Sequence, residues 1–270
     1  MASYANRPLI LVTSDDGIES PGLRAAVGAA LNLGEVLIAA PAEQQTSAGR
    51  SQPQSFDGAI HKVAYVVDGR RVPAYAMYSS PSQAVQYALI EIVPRQPALC
   101  ISGINFGENL GSGITVSGTV GAALEAADHG VPSLAVSLET EKAFHYTYSN
   151  EVDFGEAAYF VRLFGERMLF HRMPPDVDLL KVDVPSDATA GTPWRITRVS
   201  RQRYYRALPS NRHSLDERCQ LDYEMVFDRA TLEPDSDIYA LRIDRVVSAS
   251  PISLDMTSRV ALEQVEKLFR

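Results

Sequence analysis

Cysteine is nearly absent from this chain of 270 residues: Cys100 and Cys219 are the only two. So few thiols exclude a disulfide framework and a cysteine-rich zinc site. Cys100, inside Ala98-Leu99-Cys100-Ile101, reads as a small buried hydrophobe. Histidine is scarce too, and the five present are scattered without an HExxH pair, which sets aside a histidine-built zinc site. No apolar run approaches the roughly 20 residues of a membrane span, and Met1 to Arg7 is short and polar. The expectation is therefore a cytoplasmic protein with no membrane partner. Positive charge is in deficit, with 25 Lys and Arg against 33 Asp and Glu, a formal net charge of −8. A phosphate-backbone binder needs a basic surplus, so nucleic acid is not expected as a bulk partner. A small phosphorylated ligand stays compatible, because one metal ion or helix terminus holds it without a basic surface.

What the chain does have is the make-up of a globular protein, 46% hydrophobic and 21% charged. Leu9-Ile10-Leu11-Val12 is the uninterrupted apolar run of a strand buried on both faces. Ser20-Pro21 opens a helix, with Ser at the N-cap, Leu23, Val27, Ala30 and Leu31 at helical spacing, and Gly34 closing it. Val36 to Ala39 is the next strand, so residues 8–40 read as a βαβ unit. A polar loop runs from Pro41 to about Ser55, and a helix begins at Pro81. Leu99 to Ser102 and Leu134 to Val136 are further strands, with a helix capped by Ser117 between them. A helix is expected from Asn150 toward His171, a strand over Leu179 to Val184, a β-rich stretch over 194–247, and a terminal helix from near Ser258. The alternation predicts a three-layer, doubly wound α/β fold with a Rossmann-like, mostly parallel sheet and ligands at its C-terminal strand ends. Residues 7–200 are taken as the α/β domain and 201–270 as a β-rich C-terminal extension.

Four segments at that edge carry chemistry. Asp15-Asp16-Gly17 directly follows the first strand; such adjacent carboxylates either share a hard divalent cation, Mg²⁺ or Mn²⁺, or divide between capping a helix and facing water. Ser102 to Asn109 places glycines and amides after another strand, where they serve a metal or phosphate, or simply a turn. Ser117-Gly118-Thr119-Val120-Gly121 opens a helix and is either an anion site or a plain cap. Gln44 to Ser51 brings hydroxyls and one cation, unless it is an exposed loop. Falling together on one edge, the four point to metal-assisted hydrolysis of a phosphate ester.

These segments resemble motifs of the SurE survival proteins, metal-dependent nucleotidases and phosphatases. Ile10 to Ile18 with Ser20-Pro21-Gly22-Leu23 is similar to the family's LxTNDDGxxxxG, and Ala40 to Ser51 to its AP-x-x-x-x-S-G loop. Ser102 to Gly111 matches SGINxGxNxG, Ser117 to Ala123 matches SGTVxAA, and Val247 to Thr257 resembles VSxTPLxxDxT. The resemblance implies one divalent metal per subunit on Asp15, Asp16, Thr46 and Asn105, and phosphate contacts at Asn109, Ser117, Gly118 and Thr119. Asp15 and Asp16 are the implied catalytic residues. It implies hydrolysis of nucleoside 5′- or 3′-monophosphates, and a homodimer or homotetramer joined through the segment from about 201 onward, including Tyr204-Tyr205-Arg206.

Departures from the family pattern are Ser14 for Asn, Thr46 for Ser, Ser47 for Gly, Val116 for Tyr, and Ser79-Ser80-Pro81-Ser82 for a GTPxD-like segment. They bear on substrate range and rate. Two other readings remain at this stage: an aspartyl-phosphate enzyme, against which no lysine precedes Lys62, and a non-catalytic nucleotide- or metal-binding protein on the same scaffold.

Overall fold

The computed structural model describes residues 7–270. Leu9–Thr13 (β1), Pro21–Ala30 (α1) and Glu35–Pro41 (β2) form the expected βαβ unit, with β1 and β2 parallel. Pro21 takes the first helical position, but Ser20 makes no side-chain cap. An antiparallel hairpin, Ile60–Val67 (β3) and Arg70–Met77 (β4), follows where the apolar-run reading assigns nothing. Its faces alternate between exposed and buried, and its turn, Asp68-Gly69, has φ of 49° and 73°, the primed geometry that suits strand twist.

Pro81–Tyr87 (α2) begins in a capping box between Ser80 and Gln83 and runs into a wider turn, Ala88–Ile92. The departing segment Ser79 to Ser82 is thus a helix start. Leu99–Phe106 (β5), Gly118–Asp128 (α3), Ser133–Leu138 (β6), Gly155–Phe170 (α4) and Leu179–Val184 (β7) complete the alternation. The fourth helix starts later than Asn150, because the Asp153 carboxylate accepts from the Gly155 N–H and holds a turn there.

Beyond β7 the chain is less regular than the β-rich expectation. Trp194–Ile196 (β8), Tyr205–Ala207 (β9) and Tyr223–Met225 (β10) are three residues each. Asp237–Arg242 (α5) is a helix, capped by Ser236. Ile238 and Leu241 of α5 pack with Leu110, Tyr204 and Leu232 in a small core of their own. Val247–Ile252 (β11) follows, and the terminal helix shrinks to Leu262–Glu266 (α6), with residues 255–270 exposed throughout.

One nine-stranded sheet results, in the order β3-β4-β2-β1-β5-β6-β7-β11-β8. From β4 to β7 all neighbours are parallel; β3 and β11 run antiparallel to theirs, and β8 follows β11. The fold class therefore agrees with expectation, with antiparallel additions at both edges. β11 enters this sheet from the C-terminal segment, whereas β9 and β10 pair apart. Alternate residues of β1 serve opposite faces: Ile10 and Val12 pack with Leu23, Val27, Phe160 and Phe164 of α1 and α4, and Leu9 and Leu11 with Val85 and Ala122 of α2 and α3. The chain winds outward from β1 to β2 and from β5 to β6, so the order reverses between β1 and β5. A crevice opens at the C-terminal ends of those two strands.

Candidate active site

Asp15 and Asp16 sit at the end of β1, in that crevice, and both are buried. Asp15 Oδ1 accepts from Thr119 Oγ1 at 2.6 Å, and the backbone N–H groups of Asp15 and Thr119 also bond its carboxylate. Asp16 lies beneath, accepting from Gln44 Nε2 (2.9 Å) on Oδ1 and from the Phe106 N–H (3.0 Å) on Oδ2. Ser14 is buried and its hydroxyl accepts from the Asp16 N–H. Burial pushes the Asp15 carboxyl up to about 6 despite the bonds from Thr119. Asp16 is driven well above the ordinary carboxylate value by burial and then by the charge of Asp15. No lysine or arginine among the described residues forms an ion pair with either.

Asn105 reaches the same crevice from β5, where the pairing with β6 shifts register between Ser102 and Asn105. Its amide Nδ2 donates to the carbonyls of Phe106 (3.2 Å) and Gly107 (2.7 Å), which leaves Oδ1 as the free end. Asn109 Nδ2 donates to Ser137 Oγ at 2.8 Å. Ser117 caps α3 through Val120 N–H (3.1 Å), and the helix start is pressed against the acid: a Cβ built on Gly118 would lie 2.7 Å from Asp15 Oδ2.

A cavity of about 350 Å³ collects Asp15, Thr46, Asn105, Asn109, Ser117 and Gly118 on its walls. Asp16 and Thr119 are not on the walls but bond to residues that are. Among the described residues no three His, Cys, Asp or Glu cluster as a metal site. The donor set here is a different one, carboxylate, hydroxyl and amide oxygen, which suits a hard cation. A pair of buried acids without a cationic partner, beside one free amide oxygen, fits such an ion.

Several residues at the site are invisible to motif spacing. Gln44 Nε2 joins Asp16 to the His145 carbonyl (2.8 Å). Glu108 is buried, bonded to Tyr204 OH at 2.6 Å, and burial pushes its carboxyl up to about 7. Lys181, buried on β7, donates to the Asn109 carbonyl (2.8 Å), contacts Asp183 and lies 3.2 Å from Asp237. Asp183 in turn accepts from the Asn109 N–H (2.7 Å) and Asp237 from the Gly111 N–H (3.1 Å). The Lys181 signal was present as a lone charge in the run Leu179-Leu180-Lys181-Val182.

Fold and site together define the class: a doubly wound α/β protein whose switch-point crevice presents an acid pair beside an open helix N-terminus. Residues 10–206 match the family described as Survival protein SurE, and the chain belongs to that family. It is 42% identical over 260 residues to the 5'-nucleotidase SurE of Thermococcus kodakarensis, covering 96% of this chain and 97% of that one. The 5'-nucleotidase SurE of Archaeoglobus fulgidus is 38% identical over 263 residues, with 96% and 97% covered. Among solved structures, the SurE protein from Aquifex aeolicus superposes with a TM-score of 0.75 at 25% identity, covering 97% of this chain and 100% of that chain.

Proposed function

We propose that this protein is a metal-dependent 5′/3′-nucleotidase, releasing phosphate from nucleoside monophosphates. The observation that carries the reading is the Asp15–Asp16 pair, buried without a cationic side chain, against the start of α3. Asp15, Asp16, Thr46 and Asn105 would hold one Mg²⁺ or Mn²⁺. When bound, such an ion supplies charge that polarises a phosphoryl oxygen and acidifies water.

The chain's own residues do the rest. The free first-turn amide at Gly118, at the Ser117 terminus, receives the phosphate oxygens, and Thr119 and Asn109 brace that terminus through Asp15 and Ser137. Thr119 keeps its hydroxyl on Asp15 Oδ1, which holds the carboxylate at the cavity wall. Asp15 is then placed to take the proton of the attacking water. Asp16, pinned by Gln44 and the Phe106 N–H, holds its position beneath.

Asp15→Asn is expected to lower phosphate release from mononucleotides at least about a hundredfold, with melting temperature and circular dichroism retained. Near wild-type release by the purified variant, measured with Mg²⁺ and with Mn²⁺, would reject the assignment.

The same reading makes the protein a cytoplasmic homodimer or homotetramer, with residues 201–270 as the oligomerisation segment. Support comes from its end: Leu262, Leu268 and Phe269 are exposed and reach no core cluster of this subunit. Both cysteines are free thiols, as suits a reducing compartment.

A further inference from the structure

The cavity has two unlike walls. One is the polar wall of Asp15, Asn105, Asn109 and Gly118; the other is aromatic, formed by His145, Tyr146, Tyr205 and Tyr223, with Arg203. Tyr205 and Tyr223 come from β9 and β10, for which the family resemblance implies only a part in assembly.

Their polar ends are occupied. Tyr205 OH donates to the Glu108 carbonyl at 2.7 Å, and Tyr223 OH bonds His145 Nδ1 at 2.7 Å. Tyr205 stands edge-on, at 78°, to both Tyr223 and His145, which stack on each other at 10°. They form a braced apolar surface. Tyr146 is held to the Tyr223 side chain by a hydrogen bond, yet it lines the cavity, is 61% exposed, and its ring is paired with no aromatic ring among the described residues. Arg203 is the one Lys or Arg on the cavity wall, and its guanidinium has no carboxylate partner among the described residues.

We propose that this aromatic wall receives the nucleobase of the substrate, stacked against Tyr146 with Arg203 beside it, and so separates nucleotides from other phosphate monoesters. The inference rests on the nucleotidase reading. A phosphate seated at the helix terminus leaves the remainder of its molecule in the same cavity, and a planar base gains most from an open ring face and a guanidinium without a carboxylate partner. Because every base has a π-face, the wall favours nucleotides as a class over any single base.

The test compares kcat/KM for AMP with kcat/KM for ribose 5-phosphate, which lacks the base. In Tyr146→Ala the ratio is expected to fall about tenfold, and to recover in Tyr146→Trp. A ratio unchanged within about twofold, or an equal loss on both substrates, overturns the proposal. Should the wild type hydrolyse neither compound, the nucleotidase reading fails and the subsite is judged by calorimetry with adenosine. Weaker adenosine binding by Tyr146→Ala supports the wall, and equal binding overturns it.

Discussion

At Gly118 the absence of a side chain is what lets the first turn of α3 touch Asp15. A methyl group there would fall 2.7 Å from both Cβ and Oδ2 of the aspartate, inside any normal contact. Gly118→Ala would improve helix propensity yet force the acid and the terminus apart. Phosphate release is expected to drop by roughly tenfold or more, since small displacements of reacting groups cost that much, while the denaturant midpoint shifts little. Full activity in Gly118→Ala would show that the close approach is incidental. Ser47 makes the opposite case. It holds φ at 64°, a left-handed conformation favouring glycine, where the family pattern has glycine. Which residues gather was legible here because their types and spacing survive in the motif; that Asp16 and Thr119 lie beneath the cavity wall was not.

Strand β7 shows how an element does more than fill a place in the sheet. Its apolar run marked it as buried, but the same run hides Lys181, fully enclosed between Asp183 and Asp237. Burial opposes the lysine charge, and the two carboxylates outweigh it and raise its pKa. Removing the cation would leave two acids buried without it. Lys181→Met should therefore destabilise the fold by about 3–5 kcal/mol in urea unfolding, with partial recovery when Asp183→Asn is added. No loss of stability would mean that the charges are not sealed from water. The pairing could not be read from sequence because its members stand 2 and 56 positions from Lys181, and only β7 and α5 packing joins them.

For the whole molecule, the C-terminal segment is tied to the sheet by charge as well as by β11. Glu139, just after β6, meets Arg242 Nη1 at 2.7 Å and Arg245 Nη2 at 2.6 Å, and accepts from the Ser186 N–H. Burial alone would push the Glu139 carboxyl up; the bonds from Arg245 and Ser186 and both arginine charges outweigh it and hold it below its ordinary value. A carboxyl lowered on folding contributes stability above the unfolded pKa, near 4.5, and loses that contribution as pH falls through the folded value. Glu139→Gln should thus melt below wild type at pH 7, by roughly 1–3 kcal/mol of stability, and the gap should narrow below about pH 4. A gap independent of pH would show that shape, not charge, makes the contribution.

The sequence by itself determined the doubly wound sheet and the crevice residues, because apolar runs, caps and motif positions are local and the crevice segments lie in the loops that leave the C-terminal ends of β1, β2 and β5. The hairpin β3–β4 was equally local, in Asp68-Gly69, and lay outside a reading built on apolar runs. Only the tertiary structure decided what distant segments contribute. The placement of β11 inside the sheet, the lysine bonded to the Asn109 carbonyl and the tyrosines that share a cavity with Asp15 all depend on packing between elements far apart in the chain. Periodicity reports which face of an element is buried, and says nothing of which other element buries it.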